Sequence, residues 1–307
     1  MLRILSYLAV LWCCCLLLLS SSVWAFSNSE LMDLSLEELM EVEVSSVGRK
    51  LQKVSEAPAA VYVISQEDIR RSGATSIPEA LRLVPGLSVA RVDGSTWSVA
   101  SRGFNGRFLN KLQVLIDGRS VYSPPFSAVH WDMQDTLLDD IERIEVVRGP
   151  GGTLWGSNAV NGVINVITKK AKDTQGTLVK VGFGTEEQGF SSVRYGGKAG
   201  ERAYYRAFVK YFNRGPQKSY PYEDIDLVGK VSQFGEAHDD WNAFRGGFRI
   251  DAATSAQNDF TLQGEAYNGT AGTNMLLPSL ELGTKVFYEQ ASDTPFAGGF
   301  LLGRWQH

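Results

Sequence analysis

Cysteine is nearly missing from this chain, and the few that occur are in an unusual place. All three, Cys13, Cys14 and Cys15, stand together inside an apolar stretch near the N-terminus. Past residue 15 there is no thiol, which excludes a disulfide framework, a thiol nucleophile and a cysteine-ligated metal there. Histidine is scarce too: His130, His238 and His307 are widely separated and form no i, i+4 pair. A catalytic zinc or a Ser-His-Asp site has almost nothing to build on. Nor is there a phosphate loop. Gly151 and Gly156 have its glycine spacing, but Ser157 stands where the phosphate-gripping lysine must be. Neither sign of charge dominates: 30 Lys and Arg face 34 Asp and Glu, for a net charge of -4. That leaves no broad basic face for nucleic acid. Beyond the N-terminal stretch no segment is apolar for the roughly 18 residues of a spanning helix. A protein of this kind can cross a membrane only as a closed β-barrel.

What is present begins with a leader. Arg3 supplies a positive start, residues 8–19 an apolar run, and Val23-Trp24-Ala25 a cleavage site before Phe26. The run is short of the roughly 20 residues a spanning helix needs, so residues 1–25 read as a cleaved signal peptide rather than an anchor. Trp12 is too bulky a neighbour for Cys13 to be a lipid-anchored cysteine. Residues 26–57 read as an N-terminal arm. Ser35-Leu36-Glu37-Glu38 matches a capping box for a short helix near 36–42. The following Glu41-Val42-Glu43-Val44-Ser45-Ser46 is extended in propensity, with no partner strand nearby in sequence, and residues 50–57 read as a linker.

Residues 58–170 have mixed α/β punctuation. A strand over 60–64 runs into Ser65-Gln66-Glu67-Asp68, which caps a short helix ended by Gly73. Ser76-Ile77-Pro78-Glu79 is a second capping box, with proline in the first turn, where no donor is lost. That helix runs to Val84 and stops at Pro85-Gly86. Strands are expected over 87–91, 99–102, 112–116, 144–148 and 163–168, with a turn at Asp117-Gly118. From Gly176 the texture changes to period two. Val179, Val181 and Phe183 alternate with polar or small residues. Phe244, Phe248 and Ile250 share one face, and Arg245 and Arg249 the other. Phe260, Leu262 and Ala266 oppose Thr261, Gln263 and Glu265. Links near 184–188, 197–201 and 251–258 are short, whereas 213–240 and 268–297 are long. Alternating strands with tight turns at one rim and long loops at the other are the signature of transmembrane barrels, although a soluble sandwich also alternates. There is room for about six such strands of roughly ten residues each.

Four ordered motifs carry a specific resemblance. Leu81-Arg82-Leu83-Val84-Pro85-Gly86-Leu87 follows the opening helices. Ser101-Arg102-Gly103-Phe104-Asn105 and Val114-Leu115-Ile116-Asp117-Gly118 come next. Last is Ile141-Glu142-Arg143-Ile144-Glu145-Val146-Val147-Arg148-Gly149-Pro150, running on to Trp155-Gly156-Ser157-Asn158-Ala159-Val160-Asn161-Gly162 and Val163-Ile164-Asn165-Val166-Ile167-Thr168-Lys169. Over residues 40–170 the chain resembles the plug of TonB-dependent outer-membrane receptors, and over 176–307 it is similar to their barrel in texture.

The resemblance implies an α+β plug over 58–170, a mixed sheet with short helices, followed over 176–307 by the first strands of an incomplete antiparallel transmembrane β-barrel. It implies a Gram-negative outer-membrane location, no enzymatic activity, and no cofactor or metal. The implied activity is TonB-energised uptake of a scarce ligand, with an iron–siderophore complex first and cobalamin, another metallophore or a sugar as alternatives. A non-transporting binding or adhesion β-protein is the rival. The matching ligand positions on the plug's outward loops are Asp93, Ser95, Thr96 and Trp97, then Tyr122, Phe126, His130 and Trp131. Exposed aromatics there would stack on flat ligands, or else pack the plug against the barrel. Glu41, Val42, Glu43, Val44 and Ser45 lie where the family carries its TonB box, the segment that engages periplasmic TonB. Arg102, Gly103, Arg148, Gly149 and Gly156 belong to the structural motif. The glycines allow unusual backbone shapes, and the two arginines, strong donors for buried carboxylates, are expected to hold the plug together and against the barrel wall rather than touch ligand.

Overall fold

In the computed structural model the described residues are 43–48, 50, 52–57, 59–103, 106, 110–123, 127–219, 235–255, 257–278 and 287–307. The leader, the helix expected near 36–42, Glu41, Val42 and Phe126 lie outside them.

The chain opens with a hairpin of β1 (Glu43–Val44) and β2 (Gln52–Lys53), in which Val44 faces Gln52. This corrects two expectations. The extended segment does have a partner strand nearby, and the supposed linker supplies it, followed by a 3-10 turn at Val54–Glu56. Next come β3 (Ala60–Ser65) and α1 (Gln66–Ser72). Ser65 and Asp68 form the expected reciprocal cap, and Gly73 ends the helix at φ 70, a shape that costs glycine little. The second cap does not form. In α2 (Ile77–Ala80) Ser76 makes no capping bond, and the helix gives way to a 3-10 turn at Leu81–Leu83. The Glu79 carboxylate that would complete the box turns to Arg82 Nε at 2.5 Å and Trp97 Nε1 at 2.7 Å.

The remaining plug strands are β4 (Leu87–Arg91), β5 (Trp97–Ser101), β6 (Leu112–Ile116), β7 (Arg119–Ser120), β8 (Ile141–Arg148) and β9 (Gly162–Thr168). The main sheet has the order β3-β8-β9-β6-β7, with β6 and β9 parallel and the other pairs antiparallel. A short helix, α3 (Gly152–Trp155), joins β8 to β9. Alternation divides this sheet into two faces. Ile144, Val146, Ile164, Val166 and Val114 enter the larger apolar core with Ile64, Ile69, Ile77 and Leu81. Val147, Val163 and Leu115 form a second cluster on the other face, against which Val47, Val61 and Trp155 pack. The arm therefore covers a face of the sheet that would otherwise be open.

Six long antiparallel strands follow, interrupted by a short pair. They are β10 (Gly176–Gly182), β11 (Glu187–Ala199), β12 (Ala203–Arg214), β13 (Lys218–Ser219), β14 (Gly235–Glu236), β15 (Trp241–Ser255), β16 (Asn258–Pro278) and β17 (Phe287–Gln306). The six-stranded order is β10-β11-β12-β15-β16-β17, an open sheet whose two edge strands do not meet. The expected long link over 268–297 is much shorter: β16 and β17 stay in register as far as Pro278 and Phe287.

Candidate functional site

The six-stranded sheet carries its buried charges on the side facing the plug, beside an apolar patch of Phe212, Trp241, Ala243 and Phe296, and its other side is apolar. Val181 is 74% and Phe183 91% exposed, and Phe244, Phe248, Leu301 and Trp305 are exposed as well. Arg206, Arg214, Arg245, Arg249 and Gln263 are buried. A charge that leaves water needs a partner, and the plug supplies many. Asp140, 1% exposed, accepts from Arg194 at 2.6 Å and lies 3.5 Å from Arg206. Asp135 takes Lys210 Nζ at 2.5 Å. Burial alone would raise the Asp135 carboxyl, but Lys210 and Arg245 hold it below its ordinary value. Arg249 reaches Thr168 Oγ1 at 3.0 Å and Asp117 at 3.8 Å, and Arg245 pairs with Glu265 while donating to the Met133 carbonyl at 2.8 Å. A cavity of about 70 Å³ lies in this seam, lined by Asp117, Arg119, Asp135, Arg245, Arg249 and Glu265 among others. None of these clasps was legible as a pair in the sequence.

The two rims differ. The close connections from β11 to β12 and from β15 to β16 are at one end of the sheet and the long connection from β12 to β15 is at the other. The plug's last residues meet the tight-turn rim: Ala171 N–H donates to Asp251 at 2.6 Å, and Arg206 to the Lys169 carbonyl. The loop between β4 and β5 meets the long-link rim. Asp239 is 3% exposed and accepts from Gly94 N–H and Gln217 N–H, each at 2.7 Å. A Cβ on Gly94 would fall 2.0 Å from the Asp239 carbonyl oxygen, so glycine is required by close approach. Arg91 pairs with Glu186 on the same rim.

Of the expected ligand positions, those between β4 and β5 lie there, in altered roles. Asp93 accepts from the Ser95 and Thr96 amides at 3.0 and 2.7 Å, which shapes the loop. Ser95 is buried. Trp97 is only 3% exposed, donates to Glu79 and meets Trp241 edge-on at 5.9 Å. Trp131 is 7% exposed and belongs to the main core. Neither is exposed: Trp97 packs against Trp241 of the wall, and Trp131 lies in the core cluster that also holds Phe212. Tyr122 is half-buried, donates to the Leu112 carbonyl at 3.1 Å, and burial pushes its hydroxyl up to about 12. His130 is half-buried, next to Asp132. Burial raises the Asp132 carboxyl; His130 opposes this and Asp93 adds to it, so the two loop stretches sit within electrostatic reach of each other.

The motif arginines meet the expectation only in part: Arg148 ties the plug to itself, but not through a carboxylate. Arg148 donates to the Pro85 carbonyl at 2.8 Å, a loop contact rather than a carboxylate pair. Arg102 is exposed and adopts a positive φ of 61, followed by Gly103 at φ 81. Gly156, at φ 92, ends the short helix. Gly149, at φ 158, is near-extended backbone. The carboxylate clasp inside the plug is made instead by Arg143, whose Nε donates to Glu145 at 2.9 Å. Among the described residues, no cluster of His, Asp or Glu could hold a metal.

Comparison with known proteins agrees with this geometry. The family model described as the TonB-dependent receptor plug domain matches residues 53–163. The chain is 32% identical over 217 residues to the vitamin B12 transporter BtuB of Vibrio cholerae serotype O1, covering 66% of this chain and 34% of that protein. It is 40% identical over 124 residues to the iron-regulated outer membrane virulence protein of the same species, covering 39% and 18%. Among solved structures, the ferripyoverdine receptor of the Pseudomonas aeruginosa outer membrane superimposes with a TM-score of 0.58 at 19% identity, over 84% of this chain and 34% of that one. The chain thus spans about a third or less of the length of the relatives it matches.

Proposed function

From the premise that this chain carries a TonB-dependent receptor plug followed by strands like the start of such a receptor's barrel, we propose that it acts as an outer-membrane receptor for energised uptake of a siderophore- or cobalamin-type ligand. One observation carries the reading: a plug fastened by buried charge pairs to a sheet whose far face is apolar and exposed. A lipid-facing apolar surface and a charged lumen are what an outer-membrane barrel requires. The relatives named above are a vitamin B12 transporter and an iron-regulated outer-membrane protein, which favours transport over chemistry. An iron–siderophore complex is the first candidate and cobalamin the second.

Ligand is held at the long-link rim, around Asp93, Thr96, Tyr122, His130 and Asp132. Phe126 completes that stretch in sequence. The loop built by Asp93 and pinned by Asp239 passes occupancy to the plug. No covalent step is involved. TonB engages the arm at residues 41–45 from the periplasm by adding a strand, with main-chain hydrogen bonds supplying most of the affinity. Since Val44 is fully buried, the arm has to leave the plug first.

The test is Val44→Pro in the membrane-embedded protein. Proline removes an N–H and fixes φ, which breaks strand addition. Radiolabelled cyanocobalamin and a radio-iron siderophore serve as probes, with binding and accumulation measured side by side. Energy-dependent accumulation should be lost while binding at the outer loops persists. Binding of a probe that never leads to accumulation, even in the unaltered protein, would instead indicate the adhesion or binding reading.

A further inference from the structure

The buried carboxylate of Glu145 is unusual in what it holds. It lies on β8, between β3 and β9, and is 0% exposed. Its Oε2 accepts from the Ser46 hydroxyl at 2.5 Å, the Ser46 amide at 2.8 Å, the Ser45 amide at 3.0 Å and, weakly, the Ser45 hydroxyl at 3.4 Å. Its Oε1 takes Arg143 Nε. Thus one oxygen of a sheet carboxylate gathers the donors of two consecutive arm residues nearly a hundred positions away in the chain. A further polar tie runs from Trp155 Nε1 to the Ser46 carbonyl at 2.7 Å, and β1 and β2 pair over two residues. A buried anion is stable only while such donors surround it, and bonds of this kind are about twice as strong as neutral ones.

We propose that Glu145 is the latch that holds the arm on the plug and sets whether residues 43–46 are available to a periplasmic partner. With the carboxylate engaged, Val44 is sealed and the segment is part of the plug. With it disengaged, the two-residue hairpin has too little pairing to stay, and the segment is free as an extended strand. Glu145 is thus a positioning residue that acts through the arm. The proposal rests on the coupling reading above, but the docking it describes can be measured without it.

Glu145→Gln keeps the size and removes the second acceptor. Whichever way the amide turns, its NH2 faces either Arg143 or the Ser45–Ser46 donors. No cysteine occurs past residue 15, so a single introduced thiol reports directly. Val44→Cys in the membrane-embedded protein is treated with maleimide and located by peptide mapping. Labelling should rise roughly tenfold or more when Glu145→Gln is added, the scale set by losing hydrogen bonds to a buried charge. Val114→Cys, 2% exposed in the plug core, should stay protected in the same background. Glu142→Gln, which removes the other acid beside Arg143, should leave Val44→Cys protected. If Val44→Cys stays protected in Glu145→Gln, the latch is wrong. If Val114→Cys becomes reactive as well, Glu145 merely holds the plug together and the latch is equally wrong. Capture on purified TonB periplasmic domain separates the two readings. An arm that is freed without gaining capture would remove the coupling reading and leave the latch standing.

Discussion

The plug and the wall that flanks it are built on opposite rules. In the plug, Ile64, Ile144, Val146 and Ile164 are wholly buried, and polar residues are mostly outside. In the wall, Val181, Phe244 and Leu301 are outside, while Arg206, Arg245 and Arg249 are inside. Period-two alternation is common to both, so alternation alone says which residues share a face and nothing about which face meets water. What decides is the neighbour. The plug sheet is covered by helices on one side and the arm on the other, whereas the wall sheet meets the plug on the side that carries its buried charges and leaves its apolar side exposed.

Three variants would break or sharpen that contrast. The largest effect is expected from Arg245→Met, which leaves Glu265 and the Met133 carbonyl without their donor inside the seam. Removing one partner of a buried pair costs about 3–5 kcal/mol. The plug should become sensitive to added protease while the wall strands stay resistant, and equal resistance of both would show that the seam does not depend on its charges. Next is a matched pair of truncations. Ile144→Ala should lower plug stability by about 2–5 kcal/mol in a denaturant titration. Leu301→Ala, on the exposed face of β17, should change little, because lipid tails solvate the smaller side chain as readily as the larger. A comparable loss in Leu301→Ala would mean that this face packs against protein.

The smallest effect is electrostatic. Burial raises the Asp132 carboxyl, so its contribution to stability is full at acid pH and is lost as pH rises from the ordinary carboxylate value of 3.8 through the raised one. Asp132→Asn should therefore match the unaltered protein in acid and exceed its melting temperature modestly at neutral pH. A lower melting temperature at neutral pH would show that the ionised carboxylate is needed, as a ligand site would require.

Local chemistry was legible in the sequence to a considerable depth. The Ser65 cap, the stop at Gly73, the turn at Asp117 and Gly118 (φ 49 and 78) and the two faces of β15 all follow from residues within a few positions of one another. Ser76 shows the limit even of local rules, because Glu79 found a better partner in Trp97, eighteen positions away. The clasps were not legible at all. Glu145 shares a strand face with Arg143 and Val147, and its burial depends on Ser45 and Ser46. Asp140 depends in the same way on Arg194 and Arg206. Trp97 and Trp131 could be read as open or packed until the wall was in place. For Asp93, Ser95, Thr96 and Trp97 the degree of exposure was not foreseeable, because it depends on Asp239 and Trp241 of the wall.

The strand order of the plug has a mechanical consequence. Following the chain inward from the arm, the first strand of the main sheet is β3, and it lies at the sheet's edge. The last, β9, is interior and runs within a few residues to the wall, where Lys169 and Ala171 are tied down. A load entering at residue 43 therefore reaches a strand bonded along one side only, while the opposite end of the plug is moored. Edge hydrogen bonds can open one after another, like a zip, whereas an interior strand would have to shear along both sides at once. Traction from the periplasm would strip β3 from β8 and leave β8, β9 and β6 joined, opening the plug from one margin without pulling it whole from its berth.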